Sequence, residues 1–137
     1  MDTSFIISQS DGRPMYLQIM EQIKQKIAVG EWAPGGEIPS IRALAIALRV
    51  SVITVKRAYL ELEREGVILT RHGKGSFVAT DPGLGARLFE QQFEEHLEQV
   101  VHIGALLGLD SDQIVLRLRE TAARHSENEE SVARETV

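Results

Sequence analysis

The stretch "LRVSVITVKRAYLELEREG", residues 48–66, reads as a strand in its first half and as a helix in its second. As a strand, "VSVITV" would put Val50, Val52 and Thr54 on one face and Ser51, Ile53 and Val55 on the other, so only a fully buried strand fits. As a helix, Val55, Ala58, Tyr59 and Leu62 fall at i, i+3, i+4 and i+7, with Leu60 beside this apolar stripe and Lys56, Arg57, Glu61 and Arg64 off it. The helix keeps the whole segment consistent. Ser51 is then its N-cap and Gly66 its stop, which predicts a helix from Val52 to Glu65. Val52, Ile53, Thr54, Lys56 and Arg57 crowd its first two turns. A helix held by packing alone gains little from showing water that mixture, so these side chains face something other than water.

Working outward, Tyr16, Ile19, Met20, Ile23 and Ile27 recur at helical spacing between Met15 and Val29, with Gly30 as the stop. "EWAPGGEIPS" then breaks the chain with two prolines and two adjacent glycines. Ser40 caps a second helix with Ile41, Leu44, Ala45 and Leu48 as its buried stripe. The turn "RVS" joins it to the helix of residues 52–65. Two amphipathic helices so closely spaced predict a helix-turn-helix. After Gly66, the β-prone runs Val67–Thr70 and Ser76–Ala79 flank "RHGKG", a hairpin whose tip carries Arg71, His72, Gly73 and Lys74. A hairpin in that place is a wing. Trp32 reads as a plug between the first helix and this wing, and residues 1–13 as a polar arm.

"DPGLG" at 81–85 and a change of charge sign mark a domain boundary. Beyond it, Phe89, Phe93, Leu97, Val100, Gly104 and Leu107 lie along one side of a long helix, and Asp110 or Ser111 caps a last helix through Ile114, Val115, Leu118 and Ala122. From Ser126 the chain is polar, acidic and expected to fray. Two helices cannot bury so much apolar surface alone, and a second copy of the chain is the favoured partner.

The 137 residues suit one domain with an extension or two small units, and the absence of cysteine excludes disulfides, thiolate metal sites and thiol nucleophiles. No signal peptide and no membrane-length apolar run occurs, so a cytoplasmic protein is expected. The net charge of −5 is uneven: residues 1–80 carry ten Lys/Arg against eight Asp/Glu, whereas 81–137 carry five against twelve. Seven cations (Arg42, Arg49, Lys56, Arg57, Arg64, Arg71 and Lys74) face three anions between Ser40 and Ser76. That concentration points to a polyanion. No nucleophile elbow or phosphate loop is present, "GKGS" lacks the context of a Walker motif, and His96 and His102 form no ligand set. The reading is therefore no enzyme, no metal and no cofactor.

Residues 14–78 resemble the DNA-binding domain of GntR-family bacterial transcription regulators, through "P.YLQI", "G.W.PG", "IPSIR.LA", "VS..TVKRAY..LE.EG" and "G.GSFV" in this order. The short two-helix tail resembles the YtrA-like branch, whose tails dimerise. The resemblance implies that Arg42 grips phosphate, with Ser40 at the same helix N-terminus. It puts Lys56 at a cationic position of the recognition helix, gives Ser51 and Thr54 phosphate or base contacts and places His72 and Gly73 at the wing tip. Val52 and Ile53 depart from the arginine or polar residue of many relatives. An apolar pair in the major groove would meet thymine methyl groups, which favours A·T readout.

The expected protein is mostly α: an N-terminal winged helix-turn-helix over residues 1–80 (core 14–79), then a helical dimerisation tail over 81–137 with Phe89, Phe93, Leu97, Val100, Leu107, Ile114 and Leu118 at its contact. The expected function is a homodimeric repressor on an inverted-repeat duplex operator. The sequence names no effector. The rival is a winged helix that binds protein or RNA without operator specificity; salt-dependent, sequence-selective binding of duplex DNA separates the two.

Overall fold

The computed structural model describes residues 4–8 and 12–135. Its elements are α1 (Met15–Ala28), α2 (Ile41–Leu48), α3 (Val52–Arg64), β1 (Ile68–Arg71), β2 (Gly75–Val78), α4 (Leu84–Leu106) and α5 (Ser111–Glu135). The chain divides into two compact units after Gln91.

In the first unit, α3 packs on α1 and α2, and its buried residues are the predicted four, Val55, Ala58, Tyr59 and Leu62. The β-branched start is helical because Ser51 Oγ accepts the Thr54 N–H at 3.1 Å, supplying a cap that isolated β propensity does not outweigh. At the other end the Val67 N–H reaches back to the Leu62 carbonyl at 2.9 Å, closing the helix through Gly66. The Tyr59 hydroxyl donates to the Pro39 carbonyl at 2.7 Å, tying α3 to the entry of α2. Burial pushes its phenol well above the ordinary tyrosine range, so it stays a neutral donor.

Helix α2 is capped by Ser40, whose Oγ accepts the Ala43 N–H at 3.1 Å. It ends at Arg49 in the left-handed conformation, φ 56°, the only non-glycine positive φ among the described residues. The Val50 N–H bonds to the Ala45 carbonyl across it. The sharp turn into α3 comes from this residue, where glycine is the usual choice.

The wing is antiparallel, with Ile68 opposite Val78 and Arg71 opposite Gly75. It is anchored on the core by the segment before α2: the Ile38 N–H donates to Ser76 O, and the Val78 N–H to Gly36 O, both at 2.9 Å. Gly73 at the tip has φ +75°, which a side chain would strain.

Three differences from the sequence reading have physical causes. Residues 4–8 are not simply a polar arm, since Phe5 and Ile7 pack against the core and Phe5 meets the buried Trp32 edge-on at 6.2 Å. Two glutamines of α1 hold that segment: Gln22 exchanges both amide bonds with the backbone of Ile6, and Gln18 does the same with Ser8. Residues 1–3 and 9–11 of the arm lie outside the described residues. The "DPGLG" boundary is a helix start: Asp81 Oδ1 accepts the Gly83 N–H at 2.9 Å, and Leu84 and Leu88 of α4 are buried in the core. Lastly, α5 stays helical to Glu135 instead of fraying from Ser126, because that stretch holds no glycine or proline and pairs His125 with Glu129 at i, i+4.

In the second unit, Asp110 is the cap of α5. Its Oδ1 accepts the Gln113 N–H while Gln113 Oε1 accepts the Asp110 N–H, each at 2.9 Å, a capping box. Gly104 is the close-approach point, since a Cβ there would lie 2.6 Å from Ile114 Cδ1. No residue of α5 is buried.

Candidate nucleic-acid interface

Successive residues on α3 turn by about 100°. Val55, Ala58, Tyr59 and Leu62 set the inward direction, so Ile53, Leu60 and Arg64 point straight out, with Lys56 and Arg57 on opposite flanks of that outer line. Ile53 is 79% exposed and Val52 46%, so neither packs beneath the helix. Thr54 is half-buried and its hydroxyl lies 2.7 Å from Ser51 Oγ, so both oxygens serve the cap as well as facing the helix N-terminus. Ser40 and Arg42, at the start of α2, are exposed.

The electrostatics of this face differ from those elsewhere. Six of the seven cations between Ser40 and Ser76 (Arg42, Arg49, Lys56, Arg57, Arg71 and Lys74) make no ion pair among the described residues; only Arg64 does, with Glu61 at 2.9 Å. The other two anions of the stretch leave those six cations alone. Glu65 pairs with Lys24 of α1 at 2.7 Å, and Glu63 accepts from the Thr70 hydroxyl at 3.5 Å. Arg71 lies over the Phe77 ring at 5.5 Å, and Arg57 lies over the Tyr16 ring at 4.2 Å. An aromatic face steadies a guanidinium without cancelling its charge. Ser40, Arg42, Ser51, Val52, Ile53, Thr54, Lys56 and Arg57 thus come from two successive helix starts, while Arg71, His72, Gly73 and Lys74 form an exposed wing end.

Tyr16, read from its helical spacing as part of the apolar side of α1, does pack against the core, and nothing in the sequence signals its second role. It is half-buried at the margin of that side and bridges to α3. Leu60, assigned only a place beside the stripe, shares the outward line of Ile53.

The tail residues fall in a different setting. Phe89, Phe93, Val100, Leu107 and Leu118 are exposed, while Leu97 and Ile114 are half-buried. Val100, Ile103, Gly104, Leu107, Ile114 and Leu118 line an open apolar groove of about 290 Å³ in the second unit. Among the described residues no cluster of His, Asp or Glu could hold a metal ion, and no helix is long and apolar enough to cross a membrane.

Two helices joined by a tight turn, a hairpin wing and an unpaired cationic face define a winged helix-turn-helix protein. Residues 15–78 match the family described as bacterial regulatory proteins, gntR family. The chain is 35% identical to the HTH-type transcriptional regulator YhcF of Bacillus subtilis over 84% of its own length and 92% of that protein's. To the HTH-type transcriptional repressor YtrA of the same organism it is 31% identical over 85% and 91%. The fold matches a GntR family transcriptional regulator from Listeria monocytogenes with TM-score 0.71 and 29% identity, covering 81% of this chain and 97% of that one. The DNA-binding domain of AraR, solved in complex with operator ORX1, matches with TM-score 0.51 and 28% identity over 56% of this chain and 95% of that domain. The chain belongs to the GntR family, among its short YtrA-like members, and is a DNA-binding transcription regulator rather than an enzyme.

Proposed function

We propose that the protein is a homodimeric repressor that occludes a promoter, its own operon's or a neighbour's, by binding an inverted-repeat operator. Residues 1–80 supply the DNA-binding domain and 81–137 the dimerisation tail, with α4's first turns also completing the core of the first unit. Helix α3 enters the major groove. Arg42 and Ser40 hold the backbone beside it, Lys56 and Arg57 meet phosphate on its two flanks, and Arg71, His72, Gly73 and Lys74 reach phosphate or the adjacent minor groove. Val52 and Ile53 meet thymine methyls, the apolar group that the major groove offers. The observation that carries this reading is the exposed face of α2, α3 and wing on which six cations lack a carboxylate partner among the described residues. Neutralised by carboxylates, such a face would gain little from a polyanion; left unpaired, it can displace the counterions condensed on a duplex.

Support for the dimer is the apolar surface of the tail: Phe93 is 63% and Leu107 64% exposed, and α5 buries nothing. Two copies facing each other would cover it and space two recognition helices for a two-fold operator.

Selection from a random duplex pool, followed by titration at several salt concentrations, tests the reading. The expected result is an inverted repeat with A·T pairs in each half-site and steep salt dependence. Arg42→Ala should weaken operator and random duplex by a similar factor and lower the salt slope by about one unit per half-site. Binding without sequence preference, or preference for RNA or a protein, would replace it with the rival winged-helix module.

A further inference from the structure

Helices α1 and α3 are bridged twice. Lys24 pairs with Glu65 at 2.7 Å, and Arg57 Nη2 donates to Tyr16 Oη at 3.4 Å with the guanidinium 4.2 Å over the ring. Each bridge spans 41 residues, so the helices run in the same sense across this contact. The first bridge cancels a charge. The second keeps one, at the end of α3 that carries Val52 and Ile53.

A guanidinium held by a ring face and by that ring's hydroxyl has further N–H groups to offer a phosphate, while its long stem loses the freedom that an unheld arginine retains in solution. Lys56, on the other flank of α3, makes no such contact among the described residues. The two flanks of the helix therefore offer differently prepared cations: an ammonium without such a contact on one side and a guanidinium held by ring and hydroxyl on the other. A helix in the major groove has a phosphate strand beside each flank.

We infer that Tyr16 is a positioning residue for DNA binding, holding the Arg57 guanidinium ready for a backbone phosphate on the α1 side of the recognition helix. The inference rests on the operator-binding reading. It gives α1, otherwise a packing helix, a part in affinity through one side chain.

The test uses the full chain and its selected operator, titrated across salt concentrations, with melts of the free protein. Arg57→Ala should weaken binding about tenfold per half-site and lower the salt slope by about one unit per half-site, as for one lost phosphate contact. Tyr16→Leu should weaken binding about two- to fivefold, the scale of one exposed cation–π contact, and leave the slope nearly intact, because the charge is still delivered. Tyr16→Phe keeps the ring and should bind close to the parent. Combined with Arg57→Ala, Tyr16→Leu should cost nothing further. Arg57→Lys, which keeps the charge and loses the guanidinium's contact with the ring, should copy Tyr16→Leu and carries the test if the leucine variant does not fold. Equal losses from Tyr16→Leu with and without Arg57 would make Tyr16 a structural pin and overturn the inference; so would an unchanged affinity. Loss of slope in Arg42→Ala but not in Arg57→Ala would overturn it while leaving the operator reading standing. A parent protein without duplex binding would remove both.

Discussion

The first unit closes a core around Trp32, Ile19, Ile23, Leu44, Leu62, Ile68 and Leu84, all fully buried, whereas the second exposes most of its apolar residues and buries none on α5. The same chain thus contains a part that satisfies its own hydrophobic surface and a part that does not. Charge follows the same division. The first unit leaves six of the seven cations of α2, α3 and the wing without a carboxylate partner among the described residues, while the second carries the acidic excess. The contrast teaches that sequence alone understates how different two amphipathic helical regions are: both have the period, and only one has enough partners.

The largest effect that would sharpen this contrast comes from where the chain is cut. Truncation after Thr80 removes Leu84 and Leu88 from the core and should cost about 3–6 kcal/mol, the burial of two leucines. Truncation after Gln91 should leave the melting temperature of the first unit nearly unchanged and yield a monomer by light scattering. Equal stability of the two fragments would contradict the assignment of α4's first turns to the core. Next, Leu107→Glu with Leu118→Glu should raise the dimer Kd by at least about a hundredfold, because each carboxylate would have to be desolvated at the contact. The first unit's melt should not move. A dimer of parental strength would place the contact elsewhere.

Ile53→Ala tests the other side of the comparison. At 79% exposure its removal should leave the free protein's melt unaltered yet cost about 1 kcal/mol per half-site on DNA, a loss that shrinks when uracil replaces the contacted thymine. Equal losses on both DNAs would remove the methyl contact. The smallest effect concerns pH. The Gly83 N–H, and after it Arg87 at 2.7 Å, hold the Asp81 carboxyl below its ordinary range. A depressed folded value means that the stabilisation is present above the unfolded pKa and is lost as pH falls through the folded one. Asp81→Asn should therefore weaken the start of α4 at neutral pH and bring the two proteins together in acid, read by circular dichroism of the 1–91 fragment. A difference that persisted unchanged in acid would assign the effect to something other than the charge.

Much of the first unit was legible because its local signals agree. Ser40 and Ser51 cap where they stand in the sequence, and the four-residue stripe of α3 is the buried set. Periodicity is silent on what depends on distant partners. Nothing in the spacing of α1 singles out Gln18, which holds the backbone of Ser8, or tells that Tyr16, packed on the core, also meets Arg57 of α3. "DPG" reads as a break because aspartate, proline and glycine serve linkers and helix starts alike; Leu84 and Leu88 decide between them only once the core exists. The fray expected from Ser126 was inferred from polarity, which says little about a helix that needs only its own backbone and spaced charges.

The unburied α5 has a consequence for dose. In the proposed dimer, its apolar side chains find cover only when two chains meet, so the species competent to hold both half-sites is formed by a second-order encounter. Below the dimer Kd its abundance rises with the square of the protein's own concentration, so halving the number of chains would remove about three quarters of it. Operator occupancy would then change over a narrower range of copy number than for a regulator that binds as a monomer, with no small molecule required to sharpen it.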